Sequence, residues 1–304
     1  MDPAAVDAIR LNFSPQSLAA LNAVIGLMMF GMALDLKLED FKRICLAPRA
    51  PAIGLVAQFL LLPAFTFLLT LVIQPVPSMA LGMILIGACP GGNLSNIMTY
   101  LARGNAAVSV SMTAVSTAAA IVMTPLNLAV WGSLNPATEP ILREVSLNPW
   151  DVFTTIFMIL GIPLMAGITA GRLWPRLVER VRGPFRVFAV LVFLFVVALA
   201  LSANWSTFLQ VIGLVVFAVL VHNASALALG WSAGRLAGLA PADRRAVTIE
   251  VGIQNAALGL ILIFDFFQGL GGMAIIAAWW GIWHIIAGLG VAFAWSRRPP
   301  AEAA

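Results

Sequence analysis

Long apolar runs, separated by short polar connections, divide this chain into nine segments. They cover about 17–36, 50–73, 79–102, 105–132, 150–173, 186–203, 206–234, 243–268 and 272–295. Each is close to or longer than the roughly 20 residues a helix needs to span hydrocarbon. The runs are continuous rather than alternating, which argues against a transmembrane β-barrel. The pattern therefore predicts an all-α polytopic membrane protein with nine transmembrane helices. The longest polar connections, near 37–49 and 133–149, are too short for a soluble domain, so residues 1–304 read as one transmembrane unit. The first sixteen residues lack the basic start of a signal peptide.

Two segments are interrupted. The third contains Cys89-Pro90-Gly91-Gly92, and the eighth contains Glu250-Val251-Gly252-Ile253-Gln254-Asn255. Aligning the interruptions pairs segments one to four with segments six to nine and leaves the fifth unpaired. The offset of five is odd, so paired segments run in opposite directions: the pattern of an inverted-topology repeat. Breaking a helix frees backbone N–H and C=O groups that are costly in lipid unless paired. In transporter folds, such matched breaks mark a binding site near the membrane midplane.

Composition and charge agree with this picture. The chain is 61% hydrophobic and 10% charged, with a mean hydropathy of +0.99. A soluble domain carries about 25% charged residues. With nine spans, fifteen of the seventeen basic residues fall on one side, and Arg10 and Arg143 alone fall on the other. The positive-inside rule then puts the C-terminus in the cytoplasm and the N-terminus outside. The pI of 9.8 reads as topology rather than nucleic-acid binding. Cys45 and Cys89 carry no disulfide argument.

Polar side chains collect at the interruptions. Asn93, Ser95 and Asn96 follow the first break; Ser109 and Thr113 share a face of the next segment, with Ser116 and Thr117 a turn further on. Glu250 and Gln254 belong to the second break, and Gln58 stands alone in segment two. A carboxylate at membrane depth costs about 2.5–3.5 kcal/mol on insertion scales, so Glu250 reads as functional. Taken singly, Ser109, Thr113 and Gln58 have ordinary roles as backbone-bonded hydroxyls or interhelical contacts. Hydroxyl, amide and carboxylate oxygens without a Cys/His cluster suit an alkali or alkaline-earth cation. His222 reads as an interhelical hydrogen-bond donor, and His284 belongs to a segment expected to line the site.

The stretches Cys89-Pro90-Gly91-Gly92-Asn93-Leu94-Ser95-Asn96, Tyr100-Leu101-Ala102-Arg103-Gly104-Asn105 and Glu250-Val251-Gly252-Ile253-Gln254-Asn255 closely resemble the bile acid:sodium symporter family. The bacterial members are most similar, and the likeness runs from about residue 20 to 295. It implies a panel domain (about 17–36, 150–173 and 186–203) and a core of the other six segments, with two broken helices crossing in the core. It implies two sodium ions. One would be held by Ser95, Asn96, Ser109, Thr113 and Glu250. The other would be held by Gln58, Glu250, Gln254 and the carbonyls of Val251 and Ile253. Substrate would sit near Asn93, Asn255 and His284. Asn93 stands where the family often has Thr, and His284-Ile285 where it has His-Asn; the first of ten helices found in some bacterial members is missing.

The resulting expectation is sodium-coupled symport of an organic anion, such as a bile acid, sulfated steroid or pantoate-like carboxylate, by alternating access across a bacterial inner membrane. No nucleic-acid partner is expected. A proton-coupled transporter with Glu250 as carrier is one alternative, although a proton needs no cage of hydroxyls. A ligand-binding membrane sensor is another. An intramembrane enzyme lacks support: there is no His-Glu-x-x-His, Asp-rich motif or paired intramembrane Asp.

Overall fold

A computed structural model describes residues 23–298, except 24, 25, 28, 32, 35, 146–148 and 204. The first predicted segment is helical at its described positions up to Ala33; residues 17–22 lie outside the described residues. The labelled helices that follow are α1 (Leu38–Leu46), α2 (Arg49–Ile73), α3 (Pro77–Ala88), α4 (Leu94–Leu101), α5 (Ala106–Leu134) and α6 (Glu139–Val145). Next comes α7, made of Pro149–Ile156, a π-turn at Phe157–Gly161 and Ile162–Leu173. Then follow α8 (Pro175–Ala203), α9 (Trp205–Leu236), α10 (Pro241–Gly252), α11 (Ala256–Phe266) and α12 (Gly271–Ser296). Among the described residues five helices are long and apolar enough to cross a membrane, and α3 and α11 are shorter apolar helices. Among the described residues the only β feature is one isolated bridge, Gly91 to Gln254.

The two predicted interruptions are real breaks. Segment three is α3 and α4, parted at Cys89–Asn93, and segment eight is α10 and α11, parted at Ile253–Asn255. The connections read as simply polar carry short helices, α1 and α6. In α1, Asp40 accepts the Lys37 backbone N–H at 2.8 Å, which satisfies an otherwise orphan donor of the first turn. Helix α8 begins eleven residues before the predicted 186, running through Arg176, Arg180 and Arg182. Arginine is a good helix former, so the basic cluster extends the helix instead of ending it.

Helix α3 is buried from Ser78 to Ala88, and α11 is buried from Leu258 to Phe264. A helix apolar all round belongs inside the protein rather than at its rim. Around this pair stand α2, α5 and α12: α3 packs on all three, and α11 on α12 and α3, while α9 packs on α10, α12 and α2.

Helix α2 contains a π-turn, Ala57–Leu61, immediately before Pro63. Proline has no N–H for the carbonyl four residues back. That carbonyl, of Phe59, instead accepts Asn127 Nδ2 from α5 at 3.1 Å. The extra residue in the turn carries Gln58 into the core, where it is fully buried. π-turns of this kind cluster at functional sites.

Candidate functional site

The breaks cross and satisfy each other's backbone. Gly92 N–H donates to the Ile253 carbonyl at 2.7 Å, and Asn255 N–H to the Pro90 carbonyl at 2.8 Å. Four groups that lipid would penalise are thus paired without side chains. Gly91 has to be glycine here. A Cβ at this position would meet Glu250 Oε1 at 2.3 Å.

Around Glu250 the structure brings together the residues singled out in the sequence. Ser95 Oγ donates to Glu250 Oε2 at 2.5 Å, Thr113 Oγ1 lies 2.7 Å from Oε1, and Ser109 Oγ lies 3.2 Å from Oε2. All four side chains are fully buried. Asn96 Oδ1 stands 2.8 Å from Ser109 Oγ and 3.2 Å from Thr113 Oγ1. A hydroxyl owns one proton, so Ser109 can serve either the carboxylate or the amide oxygen, not both. The cage therefore holds more lone pairs than protons. No Lys or Arg forms a salt bridge with Glu250 among the described residues. A buried carboxylate with hydroxyl neighbours and no cationic side chain is chemically suited to a small hard cation.

A second group adjoins it. Gln58 Nε2 donates to the Cys89 carbonyl at 2.8 Å and to Gln254 Oε1 at 2.6 Å, and Gln254 Nε2 donates to the Val251 carbonyl at 2.7 Å. Gln58 Oε1 is buried without a hydrogen-bond partner among the described residues. A buried orphan acceptor costs about 1–3 kcal/mol, which a bound cation would offset. Glu250 and Gln254 do not share a helix, because α10 ends at Gly252; Gln254 reaches the group from the bridge.

Asn93 and Asn255 face one narrow cleft, with Thr117 between α5 and the crossover and Met29, Ala33 and Leu164 on its apolar wall. Each asparagine precedes a half-helix, α4 or α11, so two helix N-termini with partial positive charge meet at this cleft. Asn255 Oδ1 accepts Leu258 N–H at 3.1 Å, which orients its amide and caps α11. His284 is not among the residues that line this narrow cleft. It is buried in α12, one turn before Gly288, which packs on Met98 and Ile253 behind the half-helices.

His222 makes the interhelical bond expected of it, at 2.6 Å to Thr66 Oγ1. Thr66 Oγ1 also lies 2.8 Å from the Leu62 carbonyl; with its proton there, His222 Nε2–H would donate to Thr66. Two buried residues that sequence reading did not single out also act on the breaks. Thr124 Oγ1 donates to the Ala88 carbonyl at 2.8 Å, and Asn223 Nδ2 donates to the Gly252 carbonyl at 2.7 Å. Their sequence signal is that of any polar residue in an apolar run. Among the described residues no three His, Cys, Asp or Glu side chains come together, so the oxygen cage is not part of a softer metal centre.

Comparison with known proteins follows the same lines. A model of the Sodium Bile acid symporter family matches residues 23–211. An uncharacterized sodium-dependent transporter of Bacillus subtilis is 32% identical over 275 residues, covering 90% of this chain and 82% of the relative. A probable chloroplastic sodium/metabolite cotransporter of Arabidopsis thaliana is 31% identical over 282 residues, covering 92% and 68%. The human ileal sodium/bile acid cotransporter is 28% identical over 243 residues, covering 78% and 67%. A family model over more than half of the chain, and a relative matched over 90% of it, settle the lineage: the protein belongs to the sodium bile acid symporter family, and is a transporter rather than an enzyme.

Proposed function

We propose that this protein is a sodium-coupled symporter of an amphipathic organic anion, working by alternating access in a bacterial inner membrane. The family supplies sodium dependence. The observation that carries the site assignment is the fully buried Glu250 carboxylate, enclosed by Ser95, Ser109 and Thr113 hydroxyls without a positive side chain. On this reading one sodium ion is held by Ser95, Asn96, Ser109, Thr113 and Glu250. A second is held by Gln58, Glu250, Gln254 and the carbonyls of Val251 and Ile253. The substrate occupies the cleft of Asn93 and Asn255. Its anionic group meets the two half-helix N-termini, and its apolar body lies along Met29, Ala33 and Leu164. Asn93 and Asn255 line the cleft directly, and His284 of α12 completes the proposed substrate group.

Sodium then acts by ordering. Ser95 lies two residues beyond Asn93, and Gln254 is the neighbour of Asn255. An ion that draws Ser95 and Gln254 into fixed positions also fixes the two asparagines, which raises anion affinity in proportion to the state selected. Nine spans, with the C-terminus inside, divide into a panel (the first helix, α7, and the predicted 186–203 stretch of α8) and a core of the remaining helices, which move against each other to expose the cleft on either side. Two sodium ions with one monoanion carry one net charge inward. Each 100 mV of inside-negative potential then contributes about 2.3 kcal/mol per cycle.

The test is uptake into proteoliposomes of a labelled bile acid, a sulfated steroid and a pantoate-like hydroxy acid, in sodium and in choline at fixed pH. Uptake of at least one anion in sodium only, lost in Glu250→Ala, is expected. Uptake that ignores sodium and survives Glu250→Ala sinks the proposal.

A further inference from the structure

A helix that stops inside a membrane leaves its last carbonyls without following N–H groups. At the first break, the end of α3 is served by two side chains, Thr124 at the Ala88 carbonyl and Gln58 at the Cys89 carbonyl. At the second break, the Gly252 carbonyl at the end of α10 is served by Asn223. Gln58 comes from the second predicted segment and Asn223 from the seventh, the two that the repeat pairs. Opposite halves of the chain thus use the same device, a buried amide N–H aimed at the last carbonyl before the break.

Asn223 is 1% exposed, and its Oδ1 has no hydrogen-bond partner among the described residues. Among the described residues its side chain bonds to the Gly252 carbonyl alone, so removing it acts on that peptide directly. One turn along α9, Leu227 fills the space where a Gly252 side chain would be; a Cβ there would meet Leu227 Cδ2 at 2.3 Å. Helix α9 therefore grips the Gly252 peptide through a hydrogen bond and through contact. Gly252 lies two residues beyond Glu250 and directly between Val251 and Ile253.

We infer that Asn223 is a positioning residue for the sodium sites, acting through the Gly252 carbonyl to aim the Val251 and Ile253 carbonyls and to hold Glu250 in its cage. The inference rests on the sodium-site reading of Glu250. Without the amide donor, the Gly252 carbonyl faces apolar surroundings and its peptide turns toward another donor, carrying both neighbouring carbonyls with it. Partners that orient metal ligands from one step further out typically change metal affinity 10–100-fold when removed.

The experiment is a sodium titration of the melting temperature of the purified full-length protein, with choline as the balancing cation, because an ion bound only by the folded state raises it. In Asn223→Leu the sodium concentration for half-maximal stabilisation should rise roughly 10–100-fold. The melting temperature in choline should fall as well, because the Gly252 carbonyl loses its donor, so the half-maximal concentration is the deciding readout. Asn223→Gln, which restores an amide donor like that at the other break, should recover much of the affinity. If Asn223→Leu does not fold, Asn223→Ser is read in the same way, since its shorter hydroxyl falls short of the Gly252 carbonyl. Equal loss of melting temperature in sodium and choline, with an unchanged half-maximal concentration, overturns the inference and leaves a purely structural cap. Glu250→Gln separates the two levels. If it leaves the sodium-induced rise intact, the site reading fails. If it abolishes the rise while Asn223→Leu titrates like the parent, only the role of Asn223 fails.

Discussion

Glu250 sits in company that can be reoriented. Three hydroxyls and one amide can rotate their dipoles toward a carboxylate or away from it, depending on what else is present. Gly91, at the other break, leaves open the space this carboxylate occupies, which any Cβ there would invade. Gly91→Ala is expected to force Glu250 out of register with Thr113 and Ser95 and to weaken sodium binding by roughly 10–100-fold. Gly171→Ala is the control, because a Cβ there meets nothing within 4 Å. A sodium titration of thermal stability checks both. Glu250, Gln58 and the hydroxyls were legible in the sequence because an isolated polar residue stands out against apolar neighbours. The partner of each amide was not: Gln58 and Asn223 look alike in sequence, and only the fold shows which carbonyl each one meets. Nor does membership of a helix expected to line the site say which face of it His284 takes.

The π-turn of α2 is the element on which Gln58 depends. Its freed Phe59 carbonyl is held by Asn127, and Asn127 Oδ1 in turn accepts Trp131 Nε1 at 3.0 Å. Asn127→Leu leaves the carbonyl unserved, at a cost of about 1–3 kcal/mol. The expected outcome is a lower melting temperature in choline, together with a reduced further rise on adding sodium, because Gln58 loses its fixed direction. The helix breaks themselves were predictable, since Pro90, Gly91, Gly92 and Gly252 are poor helix interiors. The π-turn was not, because one extra residue in a hydrogen-bond ladder leaves the hydropathy unchanged; Pro63 is its trace in the sequence. Helices α1 and α6 escaped because short polar helices lack an apolar run to announce them.

For the whole molecule, the charge asymmetry makes a statement about sidedness. Cys45 is exposed in α1, next to Lys42 and Arg43, whereas Cys89 is buried at the crossover. With the basic connections in the cytoplasm, a membrane-impermeant maleimide should label Cys45 in inside-out vesicles and not in right-side-out ones. Cys45→Ser should abolish the signal. Labelling from the outside alone would reverse the proposed orientation. The number of hydrophobic segments and their charge bias are one-dimensional properties and could be read directly. The crossing could not: it joins groups such as Ser95 and Glu250, which are 155 residues apart, and no local pattern specifies that meeting.

The exchange of backbone bonds between Pro90, Gly92, Ile253 and Asn255 also imposes an order on the making of the protein. The ribosome delivers the first break long before the second. At roughly 5–20 residues per second, the Pro90 carbonyl and Gly92 N–H wait on the order of ten seconds or more for their partners. During that interval the first half sits in the membrane with bare polar backbone, and water, the insertion machinery or a chaperone has to cover it. Biogenesis therefore exposes a vulnerable intermediate that the finished transporter conceals. Substitutions at the crossover should lower yield through this intermediate as well as weaken the mature site.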